Sequence, residues 1–215
     1  MPKLLGVFGS PFVRKAIVAL TEKGITFEHE QVNPFGAPPE YRKISPLGKI
    51  PAYQDGDRTL ADSSVIVAYL EKIQPEPPLY LSDPYDYARA LWFEEYGDTG
   101  LSPIIGGKVF FPKVVAPRFF KQEPNLAEIQ KVVDTELPPM FDYLEGEIGD
   151  KEYLVGSKFS IADIGIATQF VNLMFAGYNV DSKRWPKLAA YLSRIHSRPS
   201  FKQVIDKEKA AFGIK

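Results

Sequence analysis

Prolines at positions 75, 77, 78 and 84 divide this chain into two stretches that follow different periodicities. Prolines lack a backbone donor and bias the preceding residue away from the helical region, so neither a helix nor a strand crosses Gln74 to Pro84. Before the prolines, apolar residues come both in short strand-like runs and at helical spacing. Beyond them every apolar pattern reads as helix. A chain divided in this way folds as a small α/β domain followed by an all-helical one. The expected boundaries are 1–76 for the first domain, 77–86 for the linker and 87–215 for the second.

Within the first domain, Leu4 to Phe8 reads as a short buried strand. Ser10 then suits a helix N-cap and Pro11 the first helical position, ahead of an apolar stripe at Val13, Ala16, Ile17 and Leu20 that stops at Gly24. Arg14 and Lys15 sit inside this stripe, and spacing leaves their direction open. A second strand falls within Thr26 to Val32, and Tyr41 to Ile44 is a helical turn. Asp55-Gly56-Asp57 separates two short apolar runs and signals a hairpin. Asp62-Ser63-Ser64 caps a helix that has Val65, Ile66, Tyr69, Leu70 and Ile73 on one face. A crossover helix between the first two strands makes them parallel, and the hairpin adds an antiparallel pair.

The segment from Ser45 to Ser64 therefore holds a proline opening a strand, a hairpin and a helix start. A helix N-terminus attracts anions. A proline at the head of a strand removes a ladder donor and leaves backbone beside it for a ligand.

In the second domain the helical run through Tyr87, Ala90, Leu91, Glu94 and Glu95 is expected to break at Gly97 to Pro103. Lys108 to Phe120 is aromatic and interrupted by prolines. A long stripe from Leu126 to Ile148 is expected to kink at Pro138-Pro139. Ser160 with Asp163 fits a capping box, and the helix after it is apolar on nearly every face, as a central helix would be.

Composition excludes several function classes. With 45% hydrophobic and 25% charged residues and a formal charge of -1, nothing points to nucleic-acid binding through bulk charge. No apolar run approaches the roughly 20 residues of a membrane helix, and the first residues are too short in apolar side chains for a signal peptide. The absence of cysteine fits a cytoplasmic protein and removes any mechanism that uses the protein's own thiol. Two histidines, His29 and His196, without cysteine make a zinc site unexpected, and no metal is expected elsewhere.

Taken together, Ser10-Pro11-Phe12 with Arg14-Lys15, Gly48-Lys49-Ile50-Pro51, Leu60-Ala61-Asp62-Ser63-Ser64 and Gly156 to Asp163 resemble the cytosolic glutathione transferases along essentially the whole chain. Serine at position 10 is similar to the serine-type classes, such as theta, phi and many bacterial members. The resemblance implies a thioredoxin-like α/β domain, an all-helical domain, and glutathione as co-substrate. It implies that Ser10 activates the glutathione thiol, with Phe12, Lys49, Ile50, Pro51, Asp62 and Ser63 binding the tripeptide. Pro51 matches the family's cis-proline, Ser63 the serine that takes the γ-glutamyl carboxylate, and Lys49 would meet the glycyl carboxylate. Asp62 departs from the usual Glu or Gln and is one methylene shorter toward the γ-glutamyl ammonium group. Phe12, Phe35, Tyr96, Phe110 and Phe111 are candidates for a hydrophobic electrophile pocket. The resemblance further implies a homodimer in which Asp98 reaches the glutathione of the other chain. The expected activity is thiolate attack on a hydrophobic electrophile, or reduction of an organic hydroperoxide. The alternative is a non-catalytic module that keeps the fold for protein association. Read locally, Ser10 and Asp62-Ser63 are also plain helix starts, and Asp98 a turn residue before the next helix.

Overall fold

In the computed structural model, which describes residues 1–214, the chain forms two compact units. The first comprises Met1–Leu79 together with the segment from Pro199 onward, and the second Tyr80–Arg198. The division after Leu79 has a local cause. The buried Lys23 ammonium donates to the carbonyls of Gln74 (2.7 Å) and Pro77 (3.0 Å) and pairs with Glu71 (2.6 Å). The Leu79 N–H donates to Glu71 as well. These bonds hold the first half of the proline-rich segment on the first unit, where its backbone groups would otherwise lack partners.

The first unit carries a four-stranded sheet in the order β2-β1-β3-β4, with β1 at Lys3–Leu5, β2 at Glu28–Glu30, β3 at Ala52–Asp55 and β4 at Arg58–Ala61. β1 and β2 are parallel; β1–β3 and the β3–β4 hairpin are antiparallel. Helix α1 (Pro11–Glu22) crosses from β1 to β2, α2 (Tyr41–Ile44) precedes the hairpin, and α3 (Ser63–Ile73) follows it. Register pairs Leu4 with Tyr53 and Leu5 with Ala52, and all four are buried, so both faces of the sheet are covered. Leu5 and Ala52 pack on Tyr41 of α2, while the Tyr53 ring lies 6.2 Å from that of Tyr69 on α3. On α3 the buried face is Ser63, Ile66, Val67 and Leu70. Val65 (49% exposed) and Ile73 (47%) point outward, contrary to their place in the expected apolar stripe.

Helix α10 (Pro199–Phe212) belongs to this unit, although its residues lie within the 87–215 span expected for the helical domain. It buries Phe201, Val204 and Ile205, and it packs on α1. Ser200 donates to Glu22 at the far end of α1.

The second unit is helical throughout: α4 (Pro84–Glu95), a π-helix over Tyr96–Val115, α5 (Ala116–Phe120), α6 (Leu126–Thr135), α7 (Leu137–Ile148), α8 (Ile161–Phe175) and α9 (Pro186–His196). The break expected at Gly97 to Pro103 is absent. Glycine and proline disfavour helix locally, but Gly97 lies against the backbone of α8. A Cβ on Gly97 would stand 2.5 Å from the Gly165 carbonyl oxygen, so the glycines there permit close packing rather than a turn. The kink expected at Pro138-Pro139 is instead an interruption at Glu136, two residues before Pro138, which ends α6 and leaves both prolines in the first turn of α7. As its sequence implies, α8 is buried at every position except Met174 and is contacted by α4, the π-helix and α9. Its capping box is complete: Ser160 and Asp163 satisfy each other's backbone N–H groups.

Candidate active site

One end of the first unit's sheet gathers most of the residues singled out by sequence. β1 ends at Leu5, opposite the first residue of β3, Ala52, which is itself opposite the last residue of β4, Ala61. The three chain segments just beyond those residues are therefore neighbours: the loop to Ser10, the Ile50-Pro51 pair, and Asp62-Ser63.

Ser10 is the N-cap of α1, with extended backbone (φ -77°, ψ 121°), and its Oγ accepts from the Val13 N–H at 3.3 Å. That bond uses an oxygen lone pair. The hydroxyl proton remains available for donation, so capping and catalysis are compatible at this residue. The loop before Ser10 is held from both sides. The His29 ring donates from Nε2 to the Gly6 carbonyl (2.9 Å) and stands edge-on to Phe8, and the Phe8 N–H donates to Gln31. Burial, the largest cause, lowers the His29 pKa; Lys207 acts the same way, against the Gly6 bond. The Gly9 N–H donates to Glu208 on α10 (3.0 Å).

The Ile50–Pro51 peptide bond is cis. The Pro51 carbonyl accepts from the Asp62 N–H (3.3 Å), which joins the proline to the start of α3. The Lys49 carbonyl before it accepts from both Tyr41 Oη (2.9 Å) and Ser45 Oγ (2.7 Å). Two hydroxyls on one carbonyl orient this backbone, and the sequence carries no signal for either. The Lys49 side chain itself is exposed.

Asp62 has a positive φ of 82°, uncommon outside glycine and tolerated best by short polar side chains. Its Oδ1 accepts from the Ser64 (2.9 Å) and Val65 (3.2 Å) N–H groups. Part of its carboxylate is thus committed to its own helix. Ser63, the first helical residue, is buried at 2% exposure, and the Lys15 ammonium donates to Ser64 Oγ at 2.9 Å. A helix N-terminus backed by a buried lysine is an electropositive setting that suits a carboxylate. Arg14 and Lys15, whose directions the stripe left open, are both fully buried. Lys15 faces the head of α3, and Arg14 Nε bonds Glu208 at 2.7 Å.

The remaining candidates are distributed differently. Phe12 is half-buried on α1, and Phe35 is 58% exposed in a 3-10 turn at Pro34–Gly36. Tyr96, Asp98, Phe110 and Phe111 all lie on the π-helix of the second unit. The Tyr96 ring packs at a tilt against those of Trp92 and Tyr143, and burial first, with Tyr143 second, pushes its pKa up to about 12. Phe110 is 4% exposed in the core, and Phe111 meets Phe120 at 6.0 Å. Asp98 sits in the first turn of a continuous helix, not in a turn between helices. Among the described residues no group of three or more His, Asp or Glu could hold a metal ion, and no helix is long and apolar enough to cross a membrane.

Two family models match the chain: glutathione S-transferase, N-terminal domain, over residues 4–78, and glutathione S-transferase, C-terminal domain, over residues 108–199. The uncharacterized GST-like protein YibF of Escherichia coli K12 is 31% identical over 205 residues, covering 93% of this chain and 96% of its own. A glutathione S-transferase of Triticum aestivum is 29% identical over 195 residues, covering 91% and 86%. A solved glutathione S-transferase from Rhodospirillum rubrum F11 has a TM-score of 0.87 at 23% identity, over 95% of this chain and 91% of that one, which is a likeness of fold.

Proposed function

Because this chain belongs to the glutathione S-transferase family, we propose that it is a serine-type enzyme that activates the glutathione thiol for attack on a hydrophobic electrophile. The observation that supports this reading is that the loop leading to Ser10, the Ile50-Pro51 pair and the head of α3 leave neighbouring strands at one end of one sheet, with the Asp62 N–H bonded to the Pro51 carbonyl. Glutathione would lie along that end. The backbone of Ile50 pairs with its cysteinyl residue, as an added strand does. Ser63 and the N–H groups at the head of α3 take the γ-glutamyl carboxylate, with Lys15 behind them. Asp62 keeps one carboxylate oxygen for the ammonium group while Oδ1 caps the helix. Lys49 meets the glycyl carboxylate, and Phe12 borders the thiol.

A free thiol has a pKa of about 8.5, so conjugation at neutral pH needs the anion stabilised. Ser10 donates its hydroxyl proton to the sulfur at the positive end of α1, and a charge-assisted hydrogen bond of roughly 1.5–3 kcal/mol offsets one to two units of pKa. The thiolate then attacks an electrophilic carbon, the C–S bond forms, and the leaving group departs with its electron pair. With an organic hydroperoxide the same thiolate attacks oxygen and the alcohol leaves; a second glutathione completes the disulfide. Phe35, Tyr96 and Phe111 remain the candidates for contacting an apolar substrate, whereas Phe110 is packed into the core of the second unit.

Assembly in this reading is a twofold homodimer, with Asp98 of one chain at the γ-glutamyl ammonium group of the other, in a cytoplasmic setting. Light scattering that finds only monomer at micromolar protein removes that role from Asp98. For the activity, Ser10→Ala is the test. Glutathione binding stays within a few fold, turnover falls, and the pKa of the bound thiol, followed by thiolate absorbance, rises. An unchanged rate and pKa in the variant leave Ser10 as a helix cap only. A wild-type protein that binds glutathione and turns over no electrophile or peroxide in a panel is instead an association module.

A further inference from the structure

The geometry points to Glu208 as a positioning residue for Ser10, acting from the last described helix. This inference rests on the proposed role of Ser10 in thiol activation. Glu208 is 199 positions from Gly9 in the chain and 1% exposed, yet its carboxylate spans the turn that carries Ser10. Oε1 accepts from the N–H of Gly9, the residue before Ser10 (3.0 Å); Oε2 accepts from Nε of Arg14, one turn after it (2.7 Å). The Arg14 N–H in turn donates to the Ser10 carbonyl at 3.0 Å. Ser10 is thus bracketed between two points tied to one rigid, dry carboxylate.

The need for such a bracket is visible in the loop. Gly6 and Gly9 both have positive φ (153° and 86°), and the chain between β1 and α1 has no ladder of its own. Glycine-rich backbone is free to sample other conformations unless contacts remove them. On the β2 side His29 and Gln31 supply contacts to Gly6 and Phe8. At Gly9, adjacent to the serine, the acceptor comes from α10. A hydroxyl that must reach a sulfur at hydrogen-bond distance loses its effect when displaced by a fraction of an ångström to an ångström. Charge matters as well as geometry. Arg14 is 0% exposed, and Glu208 balances a guanidinium whose own peptide N–H is bonded to Ser10.

The inference separates two functions that a merely structural role would not. The anchors for the tripeptide, Ile50 and Ser63, lie on β3's lead-in and on α3, neither of which bonds Glu208. Changing Glu208 should therefore alter activation of the thiol and spare binding of the peptide. The experiment compares wild type, Glu208→Gln and Ser10→Ala. Glu208→Gln retains an acceptor for Gly9 and loses the charge that Arg14 requires. Each protein is first melted to establish its fold. Then kcat and KM are measured with glutathione and an aryl halide, the bound-thiol pKa by thiolate absorbance, and affinity for S-methylglutathione, which has no thiol, by calorimetry. We expect folded Glu208→Gln to lose about tenfold or more in kcat and to raise the bound-thiol pKa, with S-methylglutathione affinity within about twofold of wild type. If Ser10→Ala lowers kcat and folded Glu208→Gln does not, the positioning role is refuted and the role of Ser10 stands. If neither changes kcat, the reading of Ser10 fails and the inference falls with it. If Glu208→Gln does not fold, the paired Arg14→Met, Glu208→Met protein replaces it. That pair keeps an apolar filling while leaving Gly9 without its acceptor, and the same loss in kcat with peptide affinity retained is expected; an unchanged kcat there also refutes the inference.

Discussion

Replacing Asp163 by alanine should remove a large part of the stability of the second unit. The side chain is fully buried, and its carboxylate accepts from the Leu154 N–H (3.0 Å), the Ser160 N–H (2.9 Å), the Tyr191 hydroxyl (2.8 Å) and the Ser160 hydroxyl (3.4 Å). Three strong donors would be left in a dry site. Each unsatisfied buried donor costs about 1–3 kcal/mol; partial repacking makes the three less than additive, so we expect a loss of about 3–5 kcal/mol. Set against a typical total of about 5–15 kcal/mol, that is enough to show as a clear drop in urea midpoint at constant slope. The pH dependence carries a sign. Burial, the largest cause, raises the Asp163 pKa from 3.8 to about 6, against the four hydrogen bonds, which favour the anion. The folded state therefore holds the proton more tightly than the unfolded chain. The stability this group contributes is fully present below about pH 4 and is lost as pH rises through about 6, some 2–3 kcal/mol for a shift of this size. Asp163→Asn does not titrate, so the margin of wild type over that variant should narrow between pH 4 and pH 7. A loss below about 1 kcal/mol on substitution by alanine would show that the site relaxes or takes up water. A margin that stays level or widens with pH would show that the donors outweigh desolvation, and the argument from burial would be wrong.

Ser63→Ala should weaken glutathione by about 1–3 kcal/mol in calorimetric titration, the usual loss of a hydrogen bond to a charged group, with α3 still capped by Asp62; unchanged affinity would place the γ-glutamyl end elsewhere. Gly97→Ala should destabilise by about 1–3 kcal/mol, since the new methyl meets a backbone carbonyl that cannot rotate away. Gly107→Ala, on the same helix with nothing within 4 Å of its Cβ position, is the control; equal melting temperatures for the two would mean that the π-helix and α8 separate readily at Gly97.

Wherever neighbouring residues decide the outcome, the sequence was legible. Ser10-Pro11 starts α1, Asp55-Gly56 lies at the hairpin turn, Asp62 caps α3, and Ser160 with Asp163 closes a capping box. Each is a contact between residues a few positions apart, and side-chain chemistry together with backbone sterics settles it. The hairpin register then follows, and with it the adjacency of Pro51 and Asp62. Two local expectations failed for the same reason. Val65 and Ile73 fit an apolar stripe, but the face α3 buries depends on what it packs against. Gly97 and Pro103 carry the marks of a break, but α8 lies against Gly97 and the helix runs on.

The sequence by itself therefore determined the two kinds of unit and the helix starts at Ser10-Pro11, Asp62-Ser63 and Ser160. The tertiary structure alone decided where Arg14 and Lys15 point, which hydroxyls brace the Lys49 carbonyl, and that a helix beginning at Pro199 closes over the loop that carries Ser10. Hydrophobic patterning says which face of a helix is buried and does not say against what. A charge on such a face demands a partner on burial, and for Arg14 that partner stands 194 residues away, far outside the span over which propensity, capping and turn chemistry act.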